Sequence, residues 1–100
     1  EINNDETEQL SVAEVAKYYS AKIKEAKDLM QNKNHDYGEA WRDMSQESFA
    51  DLTLSKVLRI KQIIANDGNT IASEGIEANF FDIINYAAFA LILISETENS

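Results

Sequence analysis

Two stretches hold the residue types that could do chemistry. Asn34-His35-Asp36-Tyr37-Gly38-Glu39-Ala40-Trp41-Arg42 gathers the only His, the only Trp and one of four Tyr. An imidazole, a carboxylate, a phenol, an indole and a guanidinium are the groups that read small ligands. The second stretch is a row on an apolar segment: Asn79, Asp82, Asn85, Tyr86 and Phe89 recur at three and four residues and so share one helical face. A carboxylate buried there without a partner costs several kcal/mol or takes up a proton. Asp82 therefore calls for a cation: Lys56, Arg59, Arg42 or a bound metal. Three readings stay open: a structural ion pair that fixes helix register, a ligand or metal site, and simple exposure at the helix start.

Lys56 and Arg59 are i, i+3 neighbours, and a Lys point charge beside an Arg fork suits a phosphate. The same spacing also serves as solvent decoration. His35 has no second His and no Cys beside it, which disfavours zinc and leaves an exposed His or a general acid/base. Asp36 doubles as a helix N-cap with Glu39 three residues on. Trp41 and Tyr37 read as core or rim residues, or as surfaces for a base. Glu74, just ahead of the last apolar segment, could cap it or ligate Mg²⁺. Glu25 and Asp28, among Lys22, Lys24 and Lys27, read as a solvated face.

The elements that must position these groups are helices. There is no Pro and only three Gly, so nothing interrupts long helical runs. Residues 1–10 are acidic and aperiodic and read as a tail or linker. Ser11-Val12-Ala13-Glu14 is a capping box, followed by Val12, Val15, Ala16, Tyr19, Ile23, Ala26 and Met30 at helical spacing. A short helix is expected through Trp41 to Met44. A third helix is expected from a Ser48 cap, with Asp51 in its first turn and a stripe through Leu54, Val57, Leu58, Lys61 and Ile64. It stops at Asn66-Asp67-Gly68-Asn69. Residues 70–75 read as a loop, and the last helix is expected to start between Ser73 and Ala78 and run to about Ser95. Its apolar stretch, Phe80 to Ile94, predicts burial on most sides, in the middle of a bundle or in a dimer interface. The fold class is all-α: a small bundle of three long helices and one short one, a single domain over 11–96 with a tail at 97–100.

Charge narrows the partners. The net charge is −9, yet all nine bases lie between Lys17 and Lys61, against seven acids there. Duplex nucleic acid is disfavoured, because its affinity rests on neutralised phosphates. Any phosphate site must take its cations from the middle of the chain. No Cys excludes disulfides and thiolate sites, and with no signal-like start this points to the cytoplasm. The Phe80–Ile94 run, interrupted by Asp82 and Asn85, reads as too short and too polar for a membrane span. No phosphate-loop or dinucleotide-binding glycine motif occurs. The first residue is Glu1, and a piece of a longer protein is expected.

Three blocks carry a family resemblance: Lys33-Asn34-His35-Asp36-Tyr37-Gly38 running on to Trp41-Arg42; Asp51-Leu52 through Lys56 to Arg59-Ile60-Lys61-Gln62; and Ser73-Glu74-Gly75 through Asn79 and Asp82 to Asn85-Tyr86. Over roughly Val12 to Ser95 they resemble the nucleotide modification-associated domain 1 family. In related bacterial proteins the domain occurs as tandem copies, and this chain resembles a single, C-terminal copy. The resemblance implies an all-α domain associated with nucleotide or DNA-base modification. A looser likeness exists to all-α nucleoside triphosphate pyrophosphatases, which bind Mg²⁺ and a nucleotide through helix-borne carboxylates. The pattern departs from theirs: Glu25-x-x-Asp28 is the nearest paired motif, and Asn79-x-x-Asp82 stands where an acid pair would.

The expectation that follows is a nucleotide-handling domain. Lys33, Lys56 and Arg59 would meet phosphate. Asp36, Glu74 and Asp82 would hold Mg²⁺ or ribose hydroxyls. Tyr37, Asn85 and Trp41 would meet the base, with His35 beside them. Its enzymatic form would be phosphoanhydride hydrolysis. The alternative is a non-catalytic helical module that forms a homo-oligomer or packs on a tandem copy.

Overall fold

The computed structural model describes residues 9–32, 39–66 and 70–98, the stretch 70–74 by its backbone only. It holds three long helices, α1 (Val12–Asn32), α2 (Gln46–Asn66) and α3 (Thr70–Glu98), with a 3₁₀ turn at Ala40–Asp43 between the first two. No strand occurs among the described residues. The all-α bundle of three long helices and one short one is the observed architecture.

Each helix start has a local cause. The Ser11 box forms as read: the Glu14 amide donates to Ser11 Oγ at 3.1 Å and the Ser11 amide donates to Glu14 Oε1 at 2.9 Å. For α2 the cap is Ser45, not Ser48. The Ser48 amide donates to Ser45 Oγ at 3.0 Å, and the Phe49 amide to the Ser45 carbonyl at 3.1 Å. The sequence offers a serine at both positions, and tertiary packing selects the earlier one. Phe49 must be helical to bury its ring, and the Gln46 amide side chain pins the first turn to the Ala90 carbonyl at 3.2 Å. Glu47, rather than Asp51, is then the first-turn acid.

The last helix starts at Thr70, several residues before its expected start, and runs through Gly75. A helical Gly costs up to about 1 kcal/mol. Packing gives the reason it is accepted: a Cβ at Gly75 would sit 3.3 Å from Ile63 Cδ1, so the bare backbone lets α2 and α3 close. The two helices form an antiparallel hairpin, held in register by Ile63 on Gly75, Lys56 on Asp82 and Gln46 on Ala90. Helix α1 lies against α3 through Ala26 and Asn85, with Lys22 reaching Glu77 at 3.9 Å.

The core is thin. Among the described residues, Ala26, Phe49, Ile60, Phe81 and Phe89 are the buried apolar ones. Of the α1 stripe only Ala26 is buried, and every residue from Ser11 to Glu25 is exposed, Val12 and Tyr19 included. Nor is α3 buried on most sides in the protomer: Phe80, Leu91, Ile92 and Ile94 stand open. The apolar count of α3 overstated its burial, because two neighbours along a 29-residue helix cover only part of its circumference. The stretch Gly75–Glu98 is also long and apolar enough to cross a membrane by length and composition, which the shorter Phe80–Ile94 reading did not register.

Candidate functional site

The polar row of α3 faces the other helices. Asn79 closes back on its own helix, donating from Nδ2 to the Gly75 carbonyl at 2.7 Å. One turn on, Asp82 Oδ2 lies 3.1 Å from Lys56 Nζ across the α2–α3 seam. Both side chains keep 30% exposure, so the pair is neither a core ion pair nor surface decoration. Among the described residues it is the one ion pair that links α2 to α3. Of the cations the sequence offered to Asp82, Lys56 is the one delivered, because it and Asp82 fall at the same level of the hairpin.

Asn85 is the buried polar residue among those described, at 5% exposure, and its Nδ2 donates to the Ala26 carbonyl at 3.1 Å. That bond ties α1 to α3. A side chain so placed orients the elements around a ligand more readily than it meets a base itself.

Phe89 ends the row inside an aromatic cluster, 6.5 Å from Phe49 and stacked on Trp41 at 4.6 Å with rings 15° apart. The Arg42 guanidinium also lies over the indole, 4.7 Å from its centroid. Phe89 already fills one face, so Arg42 must cover the other. A base could stack on Trp41 only by displacing Arg42, which Glu39 holds at 2.9 Å and Glu96 at 3.5 Å. The hydrogen bond with Glu39 leads in raising the Arg42 pKa above its ordinary value, so the guanidinium stays charged. An open hollow of about 620 Å³ lies beside it, between Met44–Gln46 and the end of α3 at Leu93–Glu98.

Arg59 goes elsewhere. It donates to Gln62 Oε1 at 3.1 Å and lines a shallow surface depression with Ser55, Leu58, Lys61 and Gln62. Lys56 turns inward to Asp82, so the two cations do not form a common clamp. Lys33, His35, Asp36 and Tyr37 lie outside the described residues, as does the side chain of Glu74. No three His, Cys, Asp or Glu side chains converge among the described residues. The one described carboxylate of the expected Mg²⁺ set, Asp82, is already neutralised by Lys56. The described donors therefore do not make up a Mg²⁺ site.

What the structure assembles is a Lys56–Asp82 pair with a buried Asn85 one turn behind it and the Phe89–Trp41–Arg42 stack one turn further along α3. The stack was absent from the sequence reading, although Phe89 stood in the polar row and Arg42 beside Trp41. Comparisons with curated proteins and with solved structures gave no match. A sequence model described as nucleotide modification associated domain 1 matches residues 33–94. That span takes in the 3₁₀ turn, all of α2 and the whole polar row of α3, and the chain belongs to this family.

Proposed function

We propose that the domain binds a nucleotide or a similar small phosphorylated ligand, with the Lys56–Asp82 pair as its polar centre. The observation that carries the reading is the half-open state of that pair within the family-matched segment. An ammonium has three donors, so Lys56 can hold Asp82 and still present hydrogens to a phosphate oxygen. Asp82 can accept from a ribose hydroxyl. Asn85, through Ala26, fixes α1 against the same stretch of α3 and keeps the pair's surroundings in place. The family's association with nucleotide modification supports a ligand of this class. The reading is one of binding. Hydrolysis would need further carboxylates beside Asp82, for which Asp36 and Glu74 were the sequence candidates.

The test is calorimetric titration with a panel of deoxynucleoside mono- and triphosphates, with and without Mg²⁺. The wild-type chain should bind at least one. Lys56→Met should weaken that binding by tenfold or more, the scale of one lost charge-assisted contact of about 1.5 kcal/mol. Arg59→Met, whose side chain pairs with Gln62 rather than with Asp82, should leave it unchanged. A folded chain that gives no heat with any member of the panel ends the proposal.

The second reading, a non-catalytic helical interaction module, has its own observation: the uncovered apolar surface of α1 and α3. The two readings do not exclude each other, since the polar row and the open surface occupy different sides of α3.

A further inference from the structure

Helix α3 carries a second row that the described residues leave largely open. Phe80, Ile84, Ala87, Leu91 and Ile94 follow at intervals of four, three, four and three residues, the spacing of a helix-pairing seam. At about 100° per residue the row lies about half a turn from Asp82, Asn85 and Phe89. Helix α2 takes one flank of α3 and α1 another, so the seam is its remaining outer third. Leu91 is 62% exposed and Phe80 is 51% exposed. Apolar grooves run along both margins of the seam. One is lined by Ile76, Phe80, Phe81 and Ile84 on the α1 side, the other by Leu54, Val57, Ala87 and Ala90 on the α2 side.

We infer that this seam is the interface of a two-fold symmetric dimer in which the α3 helices of two copies pack antiparallel about Ala87. The row is self-complementary in that register. Phe80 faces the partner's Ile94, Ile84 faces the partner's Leu91, and Ala87 meets its own counterpart near the axis. This is the reciprocity a two-fold interface demands. The small residue falls where the backbones come closest, and the bulky ones pair away from the centre.

Three further observations favour a second copy over another occupant. The seam holds no charge over five successive contacts, although the chain carries −9, so repulsion does not reach the contact. The like-charge encounter this register creates, Glu77 with the partner's Glu98, falls at its exposed ends, where solvent and salt screen it. The size is right. Open residues on the seam (Phe80, Leu91 and Ile94) and beside it on α2 (Leu54 and Val57) lose their remaining exposure to the partner. With Ile84 and Ala87 added, complete cover amounts to roughly 500 Å² per partner, about the 1,000 Å² in total that a specific interface needs and well below the largest stable ones. A lipid surface fits less well. Helix α3 carries five acids and no base, and peripheral membrane helices rely on Lys and Arg to meet anionic headgroups. The inference does not depend on nucleotide binding, because the seam and the Lys56–Asp82 pair lie on opposite sides of α3.

The experiment uses the whole chain. Light scattering and sedimentation at up to about 100 μM should give twice the 11.3 kDa chain mass. Leu91→Glu places a charge in the seam and should weaken dimerisation at least a hundredfold, with helicity by circular dichroism unchanged because the residue is already exposed. The chain has no Cys, so a single introduced thiol reports position. Ala87→Cys should oxidise to a covalent dimer, whereas Arg59→Cys, on the flank of α2 turned away from Leu54 and Val57, should not. A wild-type chain that stays monomeric at that concentration overturns the proposal, including the case where it sediments with phosphatidylcholine vesicles. So does a dimer that Leu91→Glu leaves intact, or one in which Ala87→Cys fails to cross-link. None of these results touches the nucleotide titration, so the two readings fail separately.

Discussion

Replacing Lys56 by Met and Asp82 by Asn, singly and together, measures what the α2–α3 pair contributes. The gross attraction at 3.1 Å is about 1–5 kcal/mol, as the effective dielectric constant runs from that of water to about 20. Desolvation and the ordering of two side chains take back most of it. Exposed pairs retain about 0.2–1 kcal/mol, whereas breaking a fully buried pair costs about 3–5. With 30% of each side chain in solvent, this pair belongs near the top of the exposed range. The expected coupling is therefore about 1 kcal/mol, with each single substitution costing slightly more than that. For a domain of this length, about 1 kcal/mol lowers Tm by about 4–8 °C. Urea unfolding of the four proteins at one fixed concentration is the assay, since any self-association makes stability concentration-dependent. A coupling below about 0.3 kcal/mol, within the scatter of independent sites, would show that the pair does not hold the hairpin. A coupling above about 3 kcal/mol would show a pair buried beyond what the structure describes. If Lys56→Met leaves the fold stable but abolishes nucleotide binding, the pair is kept for its ligand rather than for register.

Two further outcomes test how the elements are set. Ser45→Ala should cost about 1 kcal/mol by removing the α2 cap, whereas Ser48→Ala, whose hydroxyl touches only Ser45, should cost a few tenths; equal costs in urea unfolding would reject Ser45 as the cap. Asn85→Leu should cost about 1–2 kcal/mol, since it keeps the volume but loses the bond to the Ala26 carbonyl, and it should speed hydrogen exchange in α1 more than in α2; uniform exchange would refute the tether.

The parts of the fold that were legible in the sequence are those decided within one turn of helix. The Ser11–Glu14 box needs only its own four residues, and it forms as written. The helical spacing after Val12, the stop near Asn66 and the absence of strands are equally local. Where the reading slipped, tertiary contacts chose between local options of similar energy. Ser45 and Ser48 are both competent caps, and Phe49 and Gln46 decided between them from across the hairpin. Gly75 argued for a loop, and the approach of Ile63 made it a helical residue.

The candidate site divides in the same way. Spacing alone showed that Asp82, Asn85 and Phe89 share a face and that Asp82 needs a cation from another helix. Which cation it meets depends on register: Lys56 and Arg59 are three residues apart, about 60° short of a full turn, and Lys56 reaches Asp82 while Arg59 turns to Gln62. The indole of Trp41 could not be told from a ligand platform until Phe89 and Arg42 were found on its two faces. The same helix therefore presents two problems with different solutions. Its inner row is satisfied within the chain, by Lys56 for charge, by Ala26 for the amide and by Trp41 for the ring. Its outer row is left largely open by the described residues. With five buried apolar residues among those described, this small domain has a physical reason to seek that cover in another molecule, and the register of Phe80, Ala87 and Ile94 is the ground for proposing its own copy.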